Sequence, residues 1–224
     1  MRWQHPEQGL LGPGAFMDVA EDTGLIVGVG EWVLEQACRQ LASWTADRPG
    51  LDLKMGVNLS ARQIAEPDLP QRVAATAAAT GVDPRSLLLE ITESALMRDV
   101  TAAATVLGAL ADLGVVLAVD DFGTGFSSLS YLKRFPVKVL KIDRSFVDGL
   151  GTNPEDSGIV AAIRALGVSL GLDVVAEGVE TELQSRKLLE LDCAYAQGYL
   201  FGRPVAADEL EPWLDAAAPA GVPA

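Results

Sequence analysis

At 224 residues, 49% of them hydrophobic and 21% charged, the chain is long enough for one large folded domain and too apolar to be disordered. Its net charge of −14 argues against DNA, RNA or an anionic membrane as the main partner, although bound cations can reverse the local sign for a small anionic ligand. No stretch approaches the roughly 18 apolar residues of a membrane span.

In chain order, the start MRWQHPEQG lacks the apolar run of a signal peptide, so a cytoplasmic location is expected. The first predicted helix covers 26–45, with Leu34, Ala37, Cys38 and Leu41 at helical spacing. A β-rich run at 53–59 follows, then a helix over 69–80 closed by Gly81, then a strand at 87–92 after Pro84. Residues 99–113 read as a helix ending at Gly114, with strands at 115–120 and, after Pro136, at 137–142. A helix over 156–170, carrying Ile159, Ile163, Leu166 and Leu170, leads into a strand at 172–176. The pattern finishes with a helix at 181–191, a strand at 194–200 and a helix at 207–215. Residues 1–215 thus form one domain, and the Ala/Pro-rich 216–224 reads as a tail. Cys38 and Cys193 lie far apart inside apolar patterns and read as reduced core residues.

Alternating strands and helices, with strands that are nearly continuous apolar runs, imply an α/β fold with a parallel sheet covered by helices. Both an open doubly wound sheet and a closed barrel fit that alternation. The strand ends decide between them. Asn58 and Ser60, Glu90 and Glu93, Asp120 and Asp121, Lys141 and Asp143, Glu177 and Glu180, and Gln197 each follow or finish a different strand. An open sheet collects its ligand at one switch point, whereas a TIM-type (β/α) barrel builds its site from many strand ends on one face. The barrel is the expected fold, with six strands where eight are needed.

Asn58, Glu90, Asp120, Asp121 and Glu177 form an all-oxygen set from several strands. Hard oxygen donors favour Mg²⁺ or Mn²⁺, with Ca²⁺ as a further option, over zinc. The single histidine is His5, so a His/Cys zinc site cannot be built. So many acids suit two ions, bridged by Asp120, that would activate a water at a phosphoryl centre. Lys141 would orient that water or neutralise charge, and Glu177 would accept its proton. Each residue also has a plainer reading. Asn58 could cap the turn in VNLS, Lys141 could simply pair with Asp143, and DDFGTG could be a tight turn with its acids in water. DFG also occurs in protein kinases, but the chain lacks their HRD loop and strand-lysine motif. Gly123 and Gly125 are not part of a GxxxxGK[ST] cradle and fit a mobile loop over the site better.

Together these runs resemble the EAL domain, the cyclic di-GMP phosphodiesterase family of bacterial signalling proteins. The resemblance is carried by RWQHPEQGLLGPGAFMDVAEDTGLI, VNLSARQ, LLLEITES, VDDFGTGFSSLSYLKRFPVKVLKIDRSFV, VVAEGVET and AQGYLFGRP, in order over residues 1 to 215. It implies an eight-stranded barrel with one antiparallel strand, and hydrolysis of cyclic di-GMP to linear pGpG with Mg²⁺ or Mn²⁺. By position, Asn58, Glu90, Asp120 and Asp121 match metal ligands. Glu177 matches the general base or a further ligand, and Lys141 the lysine beside the metal-bound water. Arg2, Asp143, Glu180 and Gln197 match substrate-binding positions. Glu93 matches the glutamate that holds the loop 123–129, to which the family's homodimerisation is tied.

The resemblance also implies a missing part. The Glu-Ala-Leu signature, whose glutamate is a metal ligand, would lie directly before Arg2, where Met1 stands. With it would come a hairpin-partner strand, making up the two strands lacking from eight. The expectation is a misassigned start or a truncation rather than a natural six-stranded enzyme. An inactive EAL-type module that binds cyclic di-GMP or a partner protein is the alternative function.

Overall fold

The computed structural model of the chain describes residues 1–125 and 132–217. It opens with a small antiparallel hairpin, β1 (Trp3–His5) and β2 (Gly9–Leu11), followed by the helices α1 (Met17–Thr23) and α2 (Ile26–Asp47). The strand–helix alternation then runs through β3 (Met55–Leu59), α3 (Ala61–Ile64), α4 (Leu69–Thr80), β4 (Leu87–Thr92), α5 (Glu93–Met97), α6 (Val100–Asp112) and β5 (Val116–Phe122). It continues with β6 (Val139–Ile142), α7 (Arg144–Asp148), α8 (Pro154–Leu170), β7 (Asp173–Ala176), α9 (Glu182–Glu190), β8 (Tyr195–Ala196) and α10 (Ala207–Ala217).

Strands β3 to β8 pair in parallel and in sequential order, the topology of a (β/α) barrel. The six strands are those predicted. Among the described residues, β3 and β8 are the edges of this sheet and the β1–β2 hairpin is separate from it.

Local chemistry accounts for the helix boundaries. Gly81 and Gly171 end α4 and α8 in the left-handed conformation that suits glycine, at φ 75° and 68°. Asp99 and Asn153 cap the starts of α6 and α8 by accepting backbone N–H groups, and Pro154 occupies the first turn of α8, where no donor is needed. Along α2 the buried residues Ile26, Gly30, Leu34, Cys38, Leu41 and Trp44 recur every three or four positions, one stripe of a helix. That stripe faces β3 and α4.

Strand side chains divide by alternation. Leu87, Leu89 and Ile91, Leu117 and Val119, Leu140 and Ile142, and Val174 and Ala176 are buried in the main core. Each fully buried leucine contributes on the order of 2 kcal/mol. The other set of positions carries Asn58, Glu90, Asp120 and Lys141, so the polar residues occupy the opposite face of the sheet from the helix-covered core.

Three features depart from the sequence reading. The hairpin at 3–11 was not anticipated. It closes on His5, whose Nδ1 accepts the N–H groups of Glu7 and Gln8, both at 3.1 Å, while Trp3 packs edge-on to His5 and Phe16. Strand β8 is two residues long rather than spanning 194–200, because the chain turns at Gly198 to lie against the Val179 backbone. Helix α10 runs to Ala217, two residues into the expected tail, the rest of which lies outside the described residues.

Candidate metal centre

The polar ends of β4, β5, β6 and β7 converge on Lys141. Its Nζ lies 2.7 Å from Glu90 Oε2, 3.1 Å from Asp120 Oδ1 and 2.5 Å from Glu177 Oε1. The side chain is only 4% exposed. Burial opposes its charge, but the carboxylates of Glu90, Glu177 and Asp120 outweigh burial and raise the Lys141 pKa above its ordinary value. The plainer reading of Lys141 as a partner of Asp143 is not what the structure shows. Asp143 instead caps α7, accepting the N–H and hydroxyl of Ser145.

A bulge in β5 makes the aspartate pair usable. Val119 stands opposite Leu140 and Phe122 opposite Ile142, so Asp120 and Asp121 together face the single residue Lys141. In a regular strand neighbouring side chains point to opposite faces. The extra residue, with Asp121 in the left-handed region at φ 52°, turns both carboxylates to one side. Asp120, Asp121 and Glu177 can each present an oxygen within 4.8 Å of the others.

Electrostatics follows from this crowding. Burial, reinforced by Asp120 and Asp143, pushes the Asp121 carboxyl up, and burial does the same to Glu177 against the pull of Lys141. Asp143 is shifted down, because hydrogen bonds from Ser145 prevail over burial. Four carboxylates therefore gather around one ammonium, a charge excess that divalent cations would neutralise. The donor set is all oxygen and closely spaced, which fits a hard cation such as Mg²⁺ or Mn²⁺.

The remaining predicted residues fall at varied distances from this centre. Asn58 sits on the edge strand β3, in register with Glu90, and lines a cleft of about 530 Å³ with Gly56, Ser60 and Gln63. The cap after VNLS is Ser60, not Asn58, which leaves the Asn58 amide outside the cap. Gln197 donates to Glu177 Oε1 at 2.7 Å, and Gln197 and Glu180 line a second cleft of about 450 Å³ next to Glu177. Glu93 is 3% exposed and its Oε2 accepts the Gly123 N–H at 3.1 Å, tying α5 to the turn after the aspartates. The remainder of the 123–129 loop, from residue 126, lies outside the described residues. Arg2 is exposed and donates to the Met1 carbonyl; no hydrogen bond joins it to the acids among the described residues.

Several contributors escaped the sequence reading. Gly56 lies beside Glu90, and a Cβ there would come within 2.8 Å of Glu90 Oε1, so a glycine inside a strand was the available signal. Gly125 lies as close to Glu93, its absent Cβ 2.6 Å from Oε1. Arg144, Tyr199 and Arg203 line the second cleft, with the Arg203 guanidinium 4.6 Å over the Tyr199 ring. They lacked a strand-end position to mark them.

A sheet of sequential parallel strands, with hard-oxygen acids gathered around a buried lysine at their C-terminal ends, defines a (β/α)-barrel-type domain with a candidate divalent-metal site. Comparison with known proteins identifies the family within that class. The family model described as EAL domain matches residues 1–204, and the chain belongs to that family. It is 49% identical over 210 residues to the bifunctional diguanylate cyclase/cyclic di-GMP phosphodiesterase MucR of Pseudomonas aeruginosa, covering 94% of this chain and 30% of that protein. A signalling protein of Caulobacter vibrioides is 47% identical over 222 residues, which are 99% of this chain and 27% of that protein. The chain thus spans about a third or less of the length of these relatives. Among solved structures, the MucR phosphodiesterase in complex with c-di-GMP superposes with a TM-score of 0.89 at 49% identity, covering 93% of this chain and 84% of that one.

Proposed function

We propose that this chain is a metal-dependent phosphodiesterase domain that hydrolyses cyclic di-GMP to linear pGpG in bacterial second-messenger signalling. The observation that carries the reading is the acid cluster on the bulged end of β5, wrapped around Lys141, in a chain of the EAL family. The MucR relative is named for cyclic di-GMP phosphodiesterase activity and its structure holds c-di-GMP, which supports the choice of substrate. The cluster provides a place where Mg²⁺ or Mn²⁺, in one or two ions, would be held by Asn58, Glu90, Asp120, Asp121 and Glu177. When bound, such ions polarise the phosphoryl group and lower the pKa of water.

The protein's own groups complete the chemistry. Lys141 offsets negative charge at the reacting centre and fixes Glu90, Asp120 and Glu177 in one arrangement. Glu177, its pKa raised by burial, accepts the proton of the attacking water as the new P–O bond forms. The bond from phosphorus to the 3′ oxygen breaks, and that oxygen takes up a proton from solvent. Gln197 orients Glu177 through its 2.7 Å hydrogen bond. Glu180, Asp143 and Arg2 are assigned to substrate binding, and Glu93 to holding the loop that begins at Gly123. Homodimerisation through that loop belongs to the same reading. A cytoplasmic site of action belongs to the same reading; no helix among the described residues is long and apolar enough to cross a membrane.

The test is to incubate the purified chain with cyclic di-GMP and Mn²⁺ or Mg²⁺ and to follow pGpG by chromatography. Product formation is expected, and Glu177→Gln should cut turnover by about 100-fold or more while nucleotide binding persists. Undiminished turnover in that variant would remove Glu177 from the base role. Binding without any turnover in the parent chain would replace the enzyme with a receptor for the same nucleotide.

A further inference from the structure

Six polar or charged side chains are buried among the described residues: Gln63, Glu90, Glu93, Asp120, Lys141 and Gln184. Four are the core of the acid cluster and the glutamate that brackets its loop. The other two, Gln63 at 4% exposure and Gln184 at 6%, direct their hydrogen bonds to helix starts and not to the cluster's side chains, and they share one construction.

Gln63 follows β3 and Gln184 follows β7, each as the third residue of the next helix. Gln63 Oε1 accepts the Ser60 N–H at 3.0 Å and the Ser60 hydroxyl at 3.1 Å, while Ser60 Oγ accepts the Gln63 N–H. Gln184 Oε1 accepts the N–H groups of both Glu180 and Thr181, each at 2.8 Å, while Thr181 Oγ1 accepts the Gln184 N–H. Both are reciprocal capping boxes. The caps of α6 and α8, by contrast, rest on Asp99 and Asn153 alone.

What each box fixes is the turn directly after a strand that carries a site residue. Ser60 lies two residues beyond Asn58. Helix α3 is four residues long, too short to hold itself, so its start depends on the cap. Glu180 and Thr181 end the turn that begins at Glu177, whose middle is clamped to the segment after β8 by Val179 N–H to Gln197 O at 3.1 Å and Leu200 N–H to Val179 O at 2.9 Å. Space has been cleared for the first glutamine: a Cβ on Gly30 of α2 would sit 2.1 Å from Gln63 Nε2.

We propose that Gln63 and Gln184 are positioning residues, Gln63 setting the backbone that presents Asn58 and Gln184 the backbone that presents Glu177 and Glu180. Their amide oxygens satisfy N–H groups that the helix itself leaves without a partner at these part-buried starts, so their loss loosens those turns. The inference rests on the metal-site reading of the preceding section.

The test compares Gln63→Leu and Gln184→Leu with Gln63→Glu and Gln184→Glu, since glutamate also serves at the third position of a capping box. Mn²⁺ affinity, kcat and KM for cyclic di-GMP, and amide hydrogen exchange are measured on each. The leucine variants should lose about 10-fold or more in Mn²⁺ affinity or kcat, as support groups behind metal ligands typically do. Exchange should quicken at Ser60, Glu180 and Thr181, and the glutamate variants should restore both within about threefold. Ser60→Ala and Thr181→Val break the same boxes more mildly and carry the same expectation if a leucine variant does not fold. Leucine variants that bind Mn²⁺ and turn over like the parent, whatever their melting temperature, would reduce both glutamines to ordinary caps and overturn the proposal. A parent chain that neither binds Mn²⁺ nor hydrolyses the nucleotide would sink the metal-site reading instead. Exchange then decides alone: quickening confined to residues 58–60 and 177–181 upholds positioning, and unchanged exchange overturns it.

Discussion

Lys141 keeps its charge because three carboxylates touch it, and those carboxylates tolerate one another because Lys141 stands between them. Removing the ammonium leaves several buried acids without compensation, the kind of break that costs about 3 kcal/mol or more. Lys141→Met should therefore lower the urea midpoint of the metal-free chain by that equivalent and abolish turnover. Part of the lost stability should return on adding Mn²⁺. An unchanged midpoint would contradict the compensating role of Lys141. At this scale the sequence was informative because a lysine inside VLKID and a glutamate inside LLLEIT are conspicuous in buried strands. It did not reveal who pairs with whom: Lys141 and Asp143 are neighbours along the chain, but Lys141 meets Glu90, 51 residues away.

Elements bounded by strong punctuation were legible almost to the residue. Helix α4 and strand β4 match their predicted spans, with Gly81 ending the one and Asp83 and Pro84 preceding the other. The bulge in β5 was not legible, because a two-residue period contains no mark for one extra residue. Nor was the β1–β2 hairpin, whose three-residue strands are too short for any period to register. The turn before β4 offers a pH test. Asp83 accepts the Arg85 N–H and pairs with its guanidinium, which holds the Asp83 carboxyl at about 2. A depressed carboxyl stabilises the fold above its unfolded pKa of about 3.9, and that contribution fades as pH falls toward the folded value. Asp83→Asn should therefore lower stability at neutral pH and flatten the acid side of the curve, the two proteins converging as pH falls from about 4 toward about 2. Parallel curves for the two proteins would contradict the assignment.

For the molecule as a whole, the barrel-type order of strands could be inferred from the sequence because every strand end carried a polar residue, a pattern an open sheet does not require. The helical layer contains a link that composition could not have suggested. Arg48, at the end of α2, reaches Asp215 of α10 with both Nε and Nη2 at 2.7 Å, joining the first long helix to the last. Metal binding is also tested at this scale. An ion that binds only the folded state stabilises it by about 2.7 kcal/mol at 100 times its Kd. Mn²⁺ should thus raise the melting temperature by about 5 °C or more, and excess EDTA should reverse the rise. A melting temperature indifferent to Mn²⁺ would leave the acid cluster without a cation to hold.

The extra residue in β5 has one more implication. Without Asp121, Val119, Asp120 and Phe122 would face Leu140, Lys141 and Ile142 one to one, and the ladder would lose no rung. The sheet would be more regular and would be spared a left-handed residue that costs about 1 kcal/mol. Asp121 is therefore dispensable to the architecture and indispensable to the aspartate pair. A one-residue deletion there separates folding from chemistry more cleanly than any substitution in the cluster.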